Sequence, residues 1–163
     1  MLRVNQAGEF GATRIYAGQL AVLRRNSPGS RLISRMAAQE ERHLDRFNAM
    51  MAERRVRPTM LEPIWSIAGF ALGAATALMS EEAAMACTEA VETEIDNHYG
   101  NQLADLADDD PELAAEIHAF RAEEVEHRDV AREAGAANAV GYPLLTAAIR
   151  AGCRAAIELS KRI

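Results

Sequence analysis

Glu40-Glu41-Arg42-His43 and Glu124-Val125-Glu126-His127 are the two Glu-x-x-His motifs of this sequence. Each motif separates a carboxylate and an imidazole by three residues, so both project from one face of an α-helix. A single glutamate precedes each motif at nearly the same distance, because Glu9 lies 31 positions before the first motif and Glu92 lies 32 positions before the second. The pattern predicts two similar helical hairpins, each of which supplies half of one site.

Two such motifs and two single glutamates match the ligand set of a dinuclear iron or manganese centre in a four-helix bundle. The predicted metal ligands are Glu9, Glu40, His43, Glu92, Glu124 and His127. Within this set, we expect Glu40 and Glu124 to bridge the two metals and each histidine to bind one of them. Carboxylate oxygens with a minority of imidazole favour iron or manganese over structural zinc. Iron is preferred if the reaction uses oxygen.

Other interpretations of these side chains remain open at this stage. The residues around Glu40 are charged, so a solvated acidic surface could also explain that glutamate. Glu92 competes with Glu89 and Glu94, which lie within about one helical turn of it. We expect His98 to contact Glu94, four positions earlier, on the surface.

Two tyrosines repeat with the same period as the glutamates. Tyr16 and Tyr99 each lie seven positions after Glu9 and Glu92, respectively. Two turns of helix place each tyrosine on the face of its glutamate. They are predicted either to hydrogen-bond to metal-facing carboxylates or to serve as core aromatics. His118 is predicted to be exposed.

The composition of the sequence limits which fold classes and which binding partners fit this protein. The 163 residues suffice for one domain with a substantial core, and abundant alanine with only 5% aromatic residues favours an all-α fold. The net charge of −6 argues against nucleic acid as a partner. Cys87 and Cys153 are far apart and unclustered, which argues against a thiolate metal site and predicts no disulfide. No apolar signal core opens the sequence.

Capping residues and prolines predict the helix bounds. The five predicted helices run from near Asn5 to Arg24, from Ser30 to about Arg54, from the cap Ser80 to near Asp108, from the cap Asp110 to Gly135, and from after Gly141-Tyr142-Pro143 to the C-terminus. The second helix is predicted to direct Leu32, Met36, Glu40, His43 and Phe47 to a common interior.

No charged residue occurs between Pro63 and Ser80. This segment is predicted to form a crossover helix between the hairpins, and three settings for it remain open: an interfacial or substrate-facing helix, a core helix, or a membrane span. Its Gly69-x-x-x-Gly73 spacing allows close contact with another helix.

The last helix is predicted to be amphipathic. The apolar side is expected to contain Leu145, Ile149, Gly152, Ala156 and Leu159. The main interpretation is that this side packs on the bundle. A second interpretation adds an arginine rim that attracts anionic lipid, formed by Arg54, Arg55, Arg57, Arg150 and Arg154.

Several longer runs carry a family resemblance. They are Arg3 to Glu9, Ile15 to Gln19, Gln39-Glu40 to His43, Phe70 to Gly73, Ala86 to Thr88, Phe120-Arg121 to Glu124 and His127, and Ala151 to Arg154. These runs, spread over nearly the whole chain, resemble the demethoxyubiquinone hydroxylase family. The resemblance implies a ferritin-like four-helix bundle, with the family's iron ligands at the same six positions predicted from spacing.

The resemblance also implies an activity. A di-iron monooxygenase of this family hydroxylates the ring of a polyprenylated demethoxyubiquinol in ubiquinone biosynthesis, using dioxygen and two electrons. No nucleotide-binding or iron–sulfur motif occurs in the sequence, so we expect the electrons to come from an external reductant, such as NADH-derived electrons, or from the substrate. The resemblance further implies a redox or proton-transfer role near His98 and Tyr99.

The same resemblance places the protein at a membrane surface. The expected location is peripheral, on the cytoplasmic face of a bacterial inner membrane or on the matrix side of the mitochondrial inner membrane. Partner proteins of ubiquinone biosynthesis and self-association into a homo-oligomer are further expectations. Two alternatives remain: a ferritin-like iron oxidase, and a non-enzymatic helical lipid-binding or assembly protein.

Overall fold

The computed structural model describes residues 1–106 and 109–163. Within these residues the secondary structure is helical, and the expected all-α fold is confirmed. The six α-helices of this part of the chain are α1 (Leu2–Val22), α2 (Pro28–Glu53), α3 (Glu62–Met79), α4 (Glu81–Leu106), α5 (Pro111–Glu133) and α6 (Tyr142–Ser160). A short 3₁₀ helix, Ala136–Asn138, precedes α6. The end predicted near Asp108 lies outside the described residues.

Side-chain caps determine where three of these helices begin. The Ser80 hydroxyl accepts the Ala83 N–H at 3.0 Å, and Asp110 accepts the Leu113 N–H at 3.1 Å, so both predicted caps are confirmed. The predicted start of α2 at Ser30 is wrong. Ser27 caps this helix by accepting the Ser30 N–H at 3.1 Å, and Pro28 occupies its first turn, where a missing N–H costs little.

Two helical hairpins form the centre of the fold. Helices α1 and α2 pack together, as do α4 and α5, while α3 lies along α1 and α6 lies along α4. Phe47, Tyr99 and Ile117 are almost fully buried between the hairpins. On α2, Ile33 is buried and Leu32 only half-buried, so the prediction that Leu32 points to the interior is wrong. That all 163 residues form one domain of two similar halves stays a prediction.

Glycines bring α1 and α3 into backbone contact. A Cβ atom on Gly73 would lie 1.9 Å from the carbonyl oxygen of Ile15, and one on Gly18 would lie 2.1 Å from that of Phe70. Side chains at these two positions would force the helices apart, because neither carbonyl can move without its helix. The close contact expected from the Gly69-x-x-x-Gly73 spacing is therefore present.

Helix α3 has one buried face and one exposed face. Gly69, Gly73, Thr76 and Ala77 are buried, whereas the large apolar side chains exposed on this helix are Ile64, Ile67, Phe70, Leu78 and Met79. The core-helix alternative is therefore wrong. By length and composition alone, α3 would suffice to cross a membrane.

Helix α6 packs less completely than predicted. Ile149 is buried, but Gly152 and Leu159 are exposed, because the packed stripe runs through Leu145, Ile149 and Cys153. Three of the five arginines of the predicted rim contact carboxylates. Arg150 and Arg154 both donate to Glu94, at 2.5 and 2.9 Å, and Arg54 donates to Asp110 and Glu112. That these arginines attract anionic lipid stays a prediction.

The contact between α1 and α3 predicts opposite effects of alanine at two glycines. Gly73→Ala places a methyl group against the Ile15 carbonyl, so we expect it to lower the free energy of unfolding by about 1–3 kcal/mol. Urea denaturation followed by circular dichroism measures this change. Gly11→Ala is the matched control because its Cβ would have no neighbour within 4 Å; it should be neutral or stabilising by up to about 1 kcal/mol. Equal effects of the two substitutions would contradict the observed packing.

Candidate metal centre

Four helices bring the six predicted ligands to one point inside the bundle. Glu9 comes from α1, Glu92 from α4, and each of α2 and α5 supplies a glutamate and a histidine. All six side chains are at most 2% exposed. The three-residue spacing works as expected, because Glu40 and His43 share the inward face of α2, as Glu124 and His127 share that of α5.

The ligand atoms form two overlapping groups. One group contains Glu9, Glu40, His43 and Glu124, and the other contains Glu40, Glu92, Glu124 and His127. Within each group the donor atoms lie within 4.8 Å of one another. Glu40 and Glu124 belong to both groups, which is the geometry that two bridging carboxylates would have.

The donor atoms lack the partners that buried polar atoms normally have. Both oxygens of Glu40 and of Glu124 are buried without a hydrogen bond, as are one oxygen each of Glu9 and Glu92 and Nδ1 of each histidine. Buried unpaired carboxylate oxygens cost free energy unless a cation coordinates them. The site therefore fits metal ions, and its four carboxylates with two imidazoles suit iron or manganese.

Burial and then like-charge repulsion shift the pKa values of this cluster. Burial, and then the neighbouring Glu124 carboxylate, raises the pKa of Glu40 and of Glu92 well above the usual value. Glu9 behaves differently: burial raises its pKa, but hydrogen bonding to His43 lowers it below the usual value. Burial disfavours the His43 cation, yet the Glu124 and Glu9 carboxylates raise its pKa to about 10. The cluster therefore attracts positive charge, which metal ions would supply.

The two tyrosines contact the carboxylates of the opposite hairpin. The Tyr16 hydroxyl donates to Glu92, and the Tyr99 hydroxyl donates to Glu9. Burial, followed by the charge of the nearby carboxylates, raises the pKa of both tyrosines well above 10, so both hydroxyls stay protonated. Of the two interpretations left open for these tyrosines, hydrogen bonding to metal-facing carboxylates is the one that the structure shows.

Three side chains that sequence reasoning did not identify contact the histidine rings. Phe120 stacks on His43 with ring centroids 4.0 Å apart. Nε2 of His127 lies 3.0 Å from Oε1 of Gln39, and Nε2 of His43 lies 3.4 Å from Oε2 of Glu123. Gln39 and Glu123 immediately precede Glu40 and Glu124, and this adjacency was the sequence signal for them.

The competing acidic residues have other partners. Glu89 accepts hydrogen bonds from Arg132 at 2.8 Å and from Tyr142 at 2.9 Å. Glu94 is occupied by Arg150 and Arg154. Neither Glu89 nor Glu94 is in the two donor groups formed by the described residues, so Glu92 is the glutamate of α4 that joins the cluster.

His98 lies outside the cluster and does not make the predicted contact with Glu94. Its Nε2 atom lies 2.9 Å from Nε2 of Gln102, whose amide also donates to Asn5 at 2.6 Å. Burial, assisted by the positive charge of Lys161, lowers the pKa of His98 to about 4, so His98 is neutral at physiological pH. His118 is exposed, as predicted.

An apolar cavity of about 550 Å³ lies beside the cluster. Its wall includes Gly8 of α1 and Val91 of α4, which are the sequence neighbours of Glu9 and Glu92. Helices α3 and α6 complete the wall, with Trp65 and Ile149 among their contributions. A cavity of this size would enclose an apolar ligand next to the candidate metal centre.

Comparison with known proteins gives matches over nearly the whole chain. The family profile of "Ubiquinone biosynthesis protein COQ7" matches residues 1–160. A 3-demethoxyubiquinol 3-hydroxylase of Rhodospirillum rubrum is 54% identical over 162 residues, which are 99% of this chain and 76% of the relative. The mitochondrial NADPH-dependent 3-demethoxyubiquinone 3-hydroxylases are similar: that of Mus musculus is 54% identical over 99% of this chain, and that of Homo sapiens 52% over 100%, each over 76% of the relative.

The buried carboxylates predict a trade-off between stability and metal binding. Glu40→Gln should raise the melting temperature of the metal-free protein, because it removes one of four clustered acids. The raised pKa of Glu40 means that its ionisation destabilises the metal-free fold as pH rises above the ordinary value of 4.5. The gain should therefore be larger at about pH 8 than at about pH 5. Scanning calorimetry at both pH values measures it.

The same experiment includes anaerobic ferrous ion. At a free concentration of 100 times the Kd, each bound metal ion should stabilise the wild type by about 2.7 kcal/mol, and this increment should be lost in Glu40→Gln. Glu41→Gln is the control because its side chain is exposed beside Glu40. A metal-dependent rise that persists in Glu40→Gln would exclude Glu40 as a ligand.

Proposed function

The chain belongs to the family of the ubiquinone biosynthesis protein COQ7, and we propose that it hydroxylates 3-demethoxyubiquinol at a pair of iron ions held by the six buried side chains. Membership agrees with the resemblance seen in the sequence, and the activity is the one that names the relatives. The observation that carries the assignment of the site is the pair of donor groups that share Glu40 and Glu124. An apolar cavity beside them supplies the place for the substrate.

The reaction is a monooxygenation of an aromatic ring. One oxygen atom of dioxygen replaces a ring hydrogen as hydroxyl, and the other leaves as water, which requires two electrons and two protons. Two ferrous ions in this site would supply the redox chemistry that activates dioxygen. The protein side chains must then hold the ring, exclude bulk water and keep the ligands in place.

Two tyrosines hold Glu9 and Glu92, the glutamates that each occur in only one of the two donor groups of the described residues. Tyr99 fixes one oxygen of Glu9, and Tyr16 fixes one oxygen of Glu92. Each glutamate keeps its second oxygen without a hydrogen bond, free to bind a metal. Because each tyrosine comes from the hairpin opposite its glutamate, the two hydrogen bonds also join the hairpins.

A redox or proton-transfer role for His98 and Tyr99 stays a prediction. Tyr99 is the closer of the two to the centre, since its hydroxyl donates to Glu9. His98 connects through Gln102 to Asn5, one helical turn before Glu9. We propose that Tyr99 keeps Glu9 in place and that His98, neutral with a pKa of about 4, orients the polar chain at that end of α1.

The cavity fits the apolar parts of a prenylated quinol. Its wall combines small residues of α1 with larger apolar residues of α4 and α6, so a flat ring has room beside the cluster. One charged group in the wall, Glu94, is paired with two arginines, which prevents an unpaired charge from facing the cavity. We propose that the ring lies near Gly8 and Val91 and that the tail extends between α3 and α6.

The substrate tail explains the exposed face of α3. Ile64, Ile67 and Leu78 are 55%, 75% and 74% exposed on this helix, and α3 also forms part of the cavity wall. A helix that is apolar outside and close-packed inside can lie in the surface of a bilayer. We propose that α3 binds the membrane without crossing it, since its buried glycines hold it against α1.

The location follows from the membrane surface and the relatives. Eukaryotic relatives are named mitochondrial, and a bacterial relative comes from Rhodospirillum rubrum. We propose peripheral attachment, either to the cytoplasmic face of a bacterial inner membrane or to the matrix side of the mitochondrial inner membrane. The expected partner proteins of ubiquinone biosynthesis and the expected homo-oligomer stay predictions.

The electrons are proposed to come from outside the chain. The mouse and human relatives carry "NADPH-dependent" in their names, so NADPH is the first reductant to test, with NADH as the alternative predicted from sequence. The Rhodospirillum relative is named for the quinol rather than the quinone. The reduced ring could therefore itself carry the two electrons, and the experiment must separate these sources.

Hydroxylation by the iron-loaded protein is the direct test. We expect about two irons per chain and one labelled oxygen in the product when demethoxyubiquinol reacts under ¹⁸O₂, measured by mass spectrometry. Glu124→Ala should lose both metals and lower turnover by at least about 100-fold, because it removes a ligand shared by both donor groups. His118→Ala is the control, because His118 is exposed on the same helix; this variant should retain both iron ions and the wild-type turnover.

Three reactions separate the electron sources: quinone with NADPH, quinone alone, and quinol alone. Product from the first reaction supports a nicotinamide as the electron donor. Product from the third supports the reduced ring of the quinol as the electron donor. Two irons with iron oxidation but no quinone product would support the iron-oxidase alternative. No bound metal with retained lipid would support the lipid-binding alternative.

A substitution that fills the cavity should separate substrate binding from metal binding. Gly11 lies in the cavity wall, and a side chain there would have no neighbour within 4 Å of its Cβ. We expect Gly11→Leu to lower kcat/KM roughly tenfold or more while iron content stays unchanged. Ala115→Leu, which places the same leucine side chain at an exposed position of α5, is the control. Unchanged kinetics in Gly11→Leu would place the substrate elsewhere.

A further inference from the structure

A chain of polar contacts joins the outer edges of the two histidine rings. Nε2 of His127 lies 3.0 Å from Oε1 of Gln39, and Nε2 of Gln39 donates to Oε2 of Glu123 at 2.9 Å. The same Glu123 oxygen lies 3.4 Å from Nε2 of His43. The chain therefore runs from one histidine to the other across the α2–α5 interface.

The chemistry of the groups fixes the direction of this chain. A carboxylate only accepts hydrogen bonds, so the amide nitrogen of Gln39 faces Glu123 and the amide oxygen faces His127. Because that oxygen cannot donate, Nε2 of His127 must carry the proton. In a neutral imidazole, Nδ1 is then a bare lone pair.

The Nδ1 atoms of both histidines face the shared carboxylates. Nδ1 of His127 lies 3.2 Å from Oε1 of Glu40 and 3.4 Å from Oε2 of Glu124. Nδ1 of His43 lies 3.1 Å from Oε1 of Glu124. The Nδ1 atoms of both histidines are buried without a hydrogen-bond partner, as atoms that bind metal would be.

The two ends of the chain are not equivalent. Nε2 of His43 faces a carboxylate, Glu123 at 3.4 Å, without a hydrogen bond, whereas Nε2 of His127 faces the neutral amide of Gln39. Arg42, at 3.5 Å from Glu123, and Gln39 add two further contacts to the same carboxylate oxygen. Glu123 is thus the acceptor that all of these groups face, directly or through Gln39.

We propose that Gln39 and Glu123 are positioning residues that hold both histidines with Nδ1 towards the metals, and that they make the two metal positions unequal. The inference rests on the proposed two-metal site. A carboxylate partner raises the donor strength of an imidazole more than an amide does, so the metal bound by His43 binds more tightly. Metal therefore enters the site in two steps.

Glu123 also acts on a histidine that it does not contact. In Glu123→Gln the new amide can donate as well as accept, so the amide of Gln39 loses its fixed direction and His127 loses its enforced tautomer. Replacing Glu123 should thus weaken both metal positions. Replacing Gln39 by alanine should mainly weaken the position of His127.

Cobalt titration tests this proposal without any turnover. Anaerobic titration of the full chain with Co²⁺, followed by visible absorption and calorimetry, should show two steps of different affinity in the wild type. Glu123→Gln should weaken both steps by about 10–100-fold and change the absorption bands, while Gln39→Ala should weaken chiefly the second step. Glu126→Gln is the matched control, because Glu126 is exposed on the same helix.

The outcomes separate this proposal from the proposed function. Glu123→Gln with wild-type affinities and bands, in a protein whose wild type binds two Co²⁺, would overturn the positioning role alone. The same holds if Glu123→Gln lowers only the melting temperature of the metal-free protein, because a merely structural role would do that. A wild type that binds fewer than two ions would overturn the two-metal site itself.

Discussion

Four carboxylates buried at one point inside a helical bundle are the constraint on which the rest of this structure depends. Glu9, Glu40, Glu92 and Glu124 are at most 1% exposed, and burial of like charges is costly without a compensating cation. Three groups of side chains position these carboxylates and the histidines beside them. Histidines lie within the cluster, tyrosine hydroxyls hold one oxygen of Glu9 and one of Glu92, and an outer polar chain holds the histidine rings.

The sequence predicted those features that depend on position along a single helix. The six clustered residues follow from the three-residue spacing of each motif and from its repetition, and the caps at Ser80 and Asp110 follow from local chemistry. The same local logic failed at the start of α2. There the helix was predicted to begin at Ser30, although the serine and proline just before it, Ser27 and Pro28, are also a good helix start.

Features that depend on contacts between helices could not be read from the sequence. The carboxylate partners of the arginines were not predicted, because Glu94 and Asp110, distant in sequence, lie beside Arg150 and Arg54. His98 was assigned to Glu94 by helical spacing, but the arginines of α6 occupy that carboxylate. The outer partners Gln39 and Glu123 were missed for the same reason, because each contacts a histidine on the opposite hairpin.

Helix α1 shows how one segment meets several demands at once. It carries Glu9 towards the cluster, lines the apolar cavity with Gly8 and Gly11, and receives α3 against Gly18. A strongly amphipathic helix could not do this, because a polar face would end in the cavity or against α3. Small residues on these faces let one helix separate a charged centre from the exposed apolar helix α3 within a single layer of backbone. Under the proposed function, the centre stays shielded by α1 while the apolar substrate enters along α3.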